Sequence, residues 1–389
     1  MLNFEVINPT RIIFGKDQLE RLPHLINDFS NKKRILLAYG GGSIKSTGLF
    51  NKLMIHLKDF EVVEFGGIEA NPQFTTLMKG VELAREKDID FILAVGGGSV
   101  IDGVKFMTGA FHYKGDPYEV LKRTEGCVFT QAIPFGTFLT LPATGSEANS
   151  GAVISRDELK EKLTMGGPLF FPKFSFCDPT VVATLPKRQL ANGIVDAFMH
   201  TLEQYLTYPT DNLLQERQAE GILQTLIEIA SEVIEHPNNY KLASNLMACA
   251  THALNGNLRC GVPTDWTTHM IGHELTAMYG IDHARTLAII APRLYENQFE
   301  NKKEKLTQYG KRVWNLQGTS EEIAKEAIVK TEMFFQRLGI HTKISDYSAD
   351  TDHIAEVIKT RFIDRGWNAM GERQAITPSD VESIVLHAI

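Results

Sequence analysis

The sequence is short of cysteine, has no long apolar run and carries no excess of positive charge; each shortage removes a class of function. Its four cysteines, Cys127, Cys177, Cys249 and Cys260, are widely spaced and form no Cys-x-x-Cys pair. A disulfide framework or a thiolate zinc site needs paired, closely spaced cysteines, so four reduced thiols are expected. No stretch reaches the roughly 18 apolar residues of a membrane span. Residues 1–9 lack the basic segment and apolar segment of a signal peptide. The expectation is a cytoplasmic protein with no membrane partner. Forty Lys and Arg stand against 47 Asp and Glu, a formal charge of −7, and no basic run could track a phosphate backbone. Nucleic acid is therefore not an expected partner. A cofactor phosphate asks for less, since a few backbone N–H groups and one or two cations suffice.

What is present divides into two halves. A chain of 389 residues is too long for one ordinary core and predicts two domains. Up to about residue 185, short apolar runs alternate with helical stretches. The runs 34–39 (RILLAY), 60–65 (FEVVEF), 91–96 (FILAVG), 132–140 (AIPFGTFLT) and 172–178 (PKFSFCD) read as strands. Several lack two-residue alternation, as parallel strands covered on both faces do. Residues 71–87 and 100–112 read as helices between them, and the βαβ rhythm predicts a Rossmann-like, doubly wound parallel sheet. From Thr184 the pattern turns helical. Thr184-Leu-Pro186 reads as a hydroxyl cap followed by proline in a first turn. Helices are predicted over 186–207, 211–235, 239–255, 301–315 and 319–337, with few strand signals. The expected architecture is an α/β dinucleotide-binding domain at 1–183 and an all-α, metal-binding domain at 184–389.

Two glycine clusters follow predicted strands. Gly40-Gly41-Gly42-Ser43 succeeds RILLAY, and Gly96-Gly97-Gly98-Ser99 succeeds FILAVG and leads to Asp102 and Lys105. Without Cβ atoms, such turns let backbone N–H groups approach a phosphate, and ligands gather at the carboxyl ends of a doubly wound sheet. Neither cluster is the G-x-G-x-x-G fingerprint. Ser99 and Asp102 have the spacing of a capping box. A third polar segment, Thr140 to Glu147, offers the hydroxyls of Thr140, Thr144 and Ser146 to a pyrophosphate or ribose. No carboxylate follows RILLAY where an acid would hold an NAD ribose. Glycines, Ser43 and Lys45 stand there instead, which favours NADP(H) over NAD(H).

The helical half carries the metal chemistry. Asp196 and His200 are spaced i, i+4 and share one helix face. His269 and His273 repeat that spacing, and His283 follows Asp282. A carboxylate with imidazoles suits Fe(II), Zn(II), Ni(II) or Co(II) better than Mg or Ca. Four protein ligands on tetrahedral zinc would close the site, so either the coordination expands or His273 replaces one of the other four. The remaining eight histidines are isolated and read as ordinary core or surface residues.

These pieces in this order resemble the iron-containing (group III) alcohol dehydrogenase family. The resemblance rests on GGGS-x-x-D-x-x-K at 96–105, on LPATGSEANSGAVIS, on ANGIVDAFMHTLEQY and on DWTTHMIGHELTAMYGIDHARTLAI, and spans nearly the whole chain. It points to the butanol dehydrogenase and broad-substrate NADPH-dependent aldehyde reductase branch. The resemblance implies a metal held by Asp196, His200, His269 and His283, iron in some members and zinc in others. It implies cofactor contacts at Gly97, Gly98, Ser99, Thr140, Asn149, Lys162 and Asn71, a site in the cleft between domains, and a homodimer. His273 becomes a candidate to relay a proton or orient the substrate. Short- to medium-chain aldehydes and primary alcohols are the expected substrates. A cyclase resembling 3-dehydroquinate synthase would need clustered cations that the metal windows lack beyond Arg259 and Arg285. A glycerol dehydrogenase would need polar residues that specify a polyol, and none cluster. A non-catalytic binding protein would not need the full ligand constellation.

Overall fold

A computed structural model describes all 389 residues. Six parallel strands form one sheet in the order β1-β8-β5-β4-β2-β3, where β1 is Arg11–Phe14, β2 Arg34–Tyr39, β3 Glu61–Phe65, β4 Phe91–Gly96, β5 Phe135–Leu139 and β8 Phe174–Cys177. A separate antiparallel hairpin joins β6 (Ala152–Arg156) to β7 (Glu161–Met165). Every residue of β4, and all of β2 after Arg34, is buried. Alternate residues feed two cores, one on each face. Leu36, Ala38, Ile92 and Ala94 join one cluster, and Ile35, Leu37, Tyr39, Phe91, Leu93 and Val95 join the other. At roughly 1.5–3 kcal/mol for each large side chain buried, this two-sided burial is what makes the strands continuous apolar runs rather than alternating ones.

Helices α1 (Leu22–Asn27), α2 (Ser43–Ser46), α3 (Leu49–His56), α4 (Phe74–Glu86), α5 (Gly98–His112) and α6 (Pro117–Leu121) belong to the sheet unit. The helical unit begins with α7 (Lys187–Tyr205) and α8 (Leu213–Glu235). The segment His236–Thr251, with most of α9 (Tyr240–Ala253), belongs to the sheet unit. The helical unit resumes with α10 (Thr267–Tyr279), α11 (His283–Asn297), α12 (Phe299–Arg312), α13 (Ser320–Arg337), α14 (Ile354–Asp364) and α15 (Pro378–His387). Met1–Val6 is counted with the helices and Ile7–Leu185 with the sheet. The chain thus passes between units several times, which a two-range division at 183/184 does not express.

Some local expectations are corrected. Thr184 does not cap α7. Its hydroxyl bonds Val181 O, and the extended residue before the helix is Pro186. Ser99 and Asp102 form no capping box. Gly97 precedes α5 without a side-chain cap, and Ser99 Oγ donates to Ala70 O instead. No helix is long and apolar enough to cross a membrane. All four cysteines are unbonded to one another.

Candidate metal and cofactor sites

In the helical unit, α7 is the scaffold. Every residue from Gly193 to Tyr205 is buried, so a polar side chain there needs a partner to offset its lost hydration. Four polar residues, Asn192, Asp196, His200 and Glu203, fall at i, i+4, i+8 and i+11 and form one stripe. The ligating atoms of Asp196, His200 and His269 lie within 4.8 Å of one another, and all three residues are buried. His283 Nε2 lies 3.8 Å from Asp196 Oδ1, and the His283 and His269 rings are 5.1 Å apart. His273 stands one turn past His269, with its ring 5.1 Å from that of His283 and 6.4 Å from that of His269. Thus the structure groups three sequence-predicted ligands tightly, sets His283 beside their carboxylate, and places His273 at the next position out.

The residues fit a divalent cation. Asp196 Oδ1 is buried and makes no hydrogen bond, a costly state for a carboxylate with no counter-charge. His200 Nδ1 and His283 Nε2 approach the same oxygen at 3.7 and 3.8 Å. Two ligand bonds of about 2.1 Å span at most about 4.2 Å, and both distances to Asp196 Oδ1 fall inside that span. One carboxylate with imidazoles is a donor set for Fe(II) or Zn(II).

The two helices that carry the other histidines are tied to α7 by the ends of the stripe. Glu203 Oε1 accepts from the backbone N–H groups of Thr268, at 2.8 Å, and His269, at 3.4 Å, while Oε2 meets His269 Nδ1. Burial drives the Glu203 carboxyl well above its ordinary range, helped by nearby Asp265; His200 and the two backbone donors pull the other way. At the far end, Asn192 Nδ2 donates to Asp282 at 2.8 Å and its Oδ1 accepts from Arg285 at 3.1 Å. Those residues flank His283. Between the paired histidines of α10, a Cβ on Gly272 would stand 2.8 Å from Thr286 Oγ1 of α11, so only glycine allows this close crossing. Sequence reasoning missed Glu203 and Asn192. Their signal was present as polar residues three after His200 and four before Asp196, on the helix face that carries both predicted ligands.

In the sheet unit, β2 and β4 are neighbours, while the chain leaves β2 for β3 on one side and β4 for β5 on the other. That is the switch point where open α/β sheets bind ligands, and both glycine turns emerge there. At Gly41 and Gly42 an added Cβ would meet nothing within 4 Å, and Gly42 has φ of 96°. Gly40 lies under Ile68 O, and Ser43 opens α2. Gly97 immediately precedes α5 and Gly98 opens it, and a Cβ on Gly98 would fall 2.4 Å from Thr144 Oγ1. Thr140 bonds through its N–H to Gly96 O, beside the same turn. The N-terminal N–H groups of α5 and the open Gly40–Gly42 backbone fit phosphate oxygens.

Other predicted contacts assemble around this turn. Asn71 and Lys162, 91 residues apart, meet at 3.2 Å. Asn149 is held on both sides, with Nδ2 donating to Gly145 O and Oδ1 accepting from Lys105 Nζ and Gly151 N–H. Asp102 turns inward: Oδ1 accepts from Ser146 Oγ at 2.6 Å and Oδ2 from Val153 N–H at 2.9 Å. Burial raises its carboxyl above the usual range against the pull of Lys105. Its carboxylate oxygens are thus engaged in holding the 146–153 segment. Near the β2 tip, one carboxylate does come from the next strand. Glu64 Oε2 accepts from Tyr39 OH at 2.9 Å and from Lys45 Nζ at 2.7 Å, and Lys45 also lies over the Tyr39 and Phe50 rings. The Lys45 contact lowers the Glu64 carboxyl, keeping it ionised and its charge offset.

Comparison with known proteins adds a separate finding. The family profile described as "Iron-containing alcohol dehydrogenase" matches residues 9–179, and "Fe-containing alcohol dehydrogenase family, C-terminal" matches residues 190–389. The NADPH-dependent aldehyde reductase YqhD of Escherichia coli (strain K12) is 48% identical over 384 residues, 97% of each chain. The probable NADH-dependent butanol dehydrogenase 1 of Bacillus subtilis (strain 168) is 39% identical over 99% of each. The crystal structure of E. coli K-12 YqhD superposes with a TM-score of 0.96 at 46% identity, covering 100% of this chain and 99% of that one. That of the NADH-dependent butanol dehydrogenase A of Thermotoga maritima gives 0.95 at 30% identity, with 100% and 99% covered.

Proposed function

This chain belongs to the iron-containing alcohol dehydrogenase family, and on that footing we propose that it is a metal-dependent, NADP(H)-linked aldehyde reductase and alcohol dehydrogenase. Its substrates are short- to medium-chain aldehydes and primary alcohols. The observation that carries the reading is the buried Asp196–His200–His269 group on α7 and α10, with His283 Nε2 3.8 Å from its carboxylate.

Asp196, His200, His269 and His283 would hold one divalent ion, Fe(II) or Zn(II). When bound, that ion supplies Lewis acidity toward the substrate oxygen, and the nicotinamide supplies or accepts the hydride. Reduction consumes one hydride and one proton per carbonyl. His273, buried and one turn beyond His269, is assigned to orient the substrate and pass the proton to its oxygen. Gly97, Gly98 and Ser99 at the start of α5 would bind the pyrophosphate, with Thr140, Thr144 and Asn149 beside it. Asp102 supports that segment from beneath. Lys162 and Asn71 would hold polar groups of the cofactor. The Gly40–Ser43 turn would receive the 2′-phosphate, where Lys45 offsets the one nearby carboxylate; this favours NADP(H). Four unpaired thiols suit a reducing cytoplasm. The exposed apolar side chains of edge strand β1 support a homodimer.

The test is a panel of C2–C8 aldehydes with NADPH and NADH, run on protein of known metal content. NADPH oxidation should proceed with a kcat/KM at least tenfold above that with NADH. In His273→Gln, kcat should fall while bound metal is unchanged. Equal use of both cofactors would remove the 2′-phosphate assignment, and no turnover on any aldehyde would remove the reductase.

A further inference from the structure

We propose that Glu203 is a positioning residue of the metal site, fixing the protonation and orientation of the His269 ring so that Nε2 faces the cation. The inference rests on the reading of His269 as a ligand. It comes from the number and kind of donors on one carboxylate. Glu203 is buried on α7, three residues beyond His200, and faces the first turn of α10. Oε1 accepts two backbone N–H groups, those of Thr268 and His269, and Oε2 meets the His269 ring at Nδ1. A neutral imidazole that gives its Nε2 lone pair to a cation keeps its single proton on Nδ1. Some acceptor must receive that proton, and Oε2 stands there. The same side chain accepts first-turn N–H groups of α10, which the helix itself leaves without partners. One residue therefore sets the start of the helix and the ring that it presents.

The arrangement needs two acceptor oxygens on one rigid fork. Glutamine has one oxygen and one NH2 group. If its oxygen keeps the backbone donors, its amide confronts Nδ1 and drives the proton to Nε2. If its oxygen takes the ring, the amide confronts two N–H groups. Either way the ring or the helix start is lost, although the substitution changes shape very little. Carboxylates behind metal-bound histidines act in this way generally, and their loss costs about 10–100-fold in metal affinity.

The experiment compares wild type, Glu203→Gln and His269→Ala, each loaded with Zn(II) or Co(II) and dialysed against graded chelator. Glu203→Gln should bind metal about 10–100-fold more weakly, with an altered Co(II) visible spectrum and unchanged NADPH binding by fluorescence quenching. Wild-type affinity and spectrum in Glu203→Gln, alongside metal loss in His269→Ala, would overturn this inference alone. Full metal retention in His269→Ala would overturn the ligand reading beneath it. Should Glu203→Gln fail to fold, nitrogen-15 histidine spectra of zinc-loaded wild type still decide. A His269 ring protonated at Nδ1 is expected, and one protonated at Nε2 contradicts the proposal.

Discussion

Lys105 carries a charge in the interior of the sheet unit, with no exposed surface. All three of its donors are used, on Ser146 Oγ at 2.7 Å, Asn149 Oδ1 at 3.0 Å and Gly151 O at 2.7 Å. Burial pulls its amine from 10.5 down to about 8, against the opposing pull of Asp102 and Glu147. The folded pKa is thus depressed below the unfolded one. Between pH 8 and 10.5 the unfolded chain binds the extra proton, so stability rises with pH across that window and falls as pH drops through 8. The span corresponds to about 3 kcal/mol. Urea unfolding midpoints at pH 7.5, 9 and 10 should climb in wild type relative to Lys105→Met; parallel or opposite trends would show that Lys105 does not titrate there. The residue scale also shows what sequence reading reaches. Asp196 with His200, and His269 with His273, were legible because i, i+4 spacing on a helix is a local geometric fact. Glu203 was not, because its partner is 66 residues away. Lys105 was quoted within a motif, but its acceptors lie 41 to 46 residues on.

At the scale of elements, β2 and β4 were legible to the residue, since burial on both faces leaves no polar position inside them. The hairpin β6–β7 was not, because its strands are short, its turn is charged and Lys160 adopts φ of 51° there. Helices α10 and α11 were not delimited. Pro292 lies inside α11, where a proline withholds one backbone N–H and blurs the helical pattern. Strand β1 is only four residues long and was overlooked, yet it has a consequence. It pairs on one side only, with β8, and exposes Ile12 and Phe14. An apolar edge of this kind invites pairing with another chain, and the proposed dimer uses it with a second copy. Sedimentation should give about twice the 43.5 kDa chain mass. Ile12→Lys/Phe14→Lys should shift the protein to monomer at micromolar concentration, and an unchanged dimer would place the interface elsewhere.

On the scale of the whole molecule, the chain builds a sheet unit and a helical unit while passing between them more than once. The fold class was legible because strand–helix alternation and uninterrupted helical periodicity are long-range patterns in the sequence. The segment 236–251 was not, since nothing local marks a helix that packs with the sheet unit, as Met247 does. Division of labour follows from composition: the sheet unit brings glycine turns and backbone donors, and the helical unit brings carboxylate and imidazole. Each should therefore be separable in solution. Removing the metal should leave NADPH binding intact, because none of the proposed cofactor contacts lies on α7, α10 or α11. The central claim is that one cation, held by the α7 stripe and the histidines of α10 and α11, makes the chemistry happen. Its most direct test is to strip the protein with chelator, titrate Fe(II) or Zn(II) back, and follow bound metal and NADPH-dependent aldehyde reduction together. Activity should rise linearly and break at one ion per chain, with Asp196→Ala and His200→Ala giving no such rise. Full turnover in protein free of metal would contradict the account.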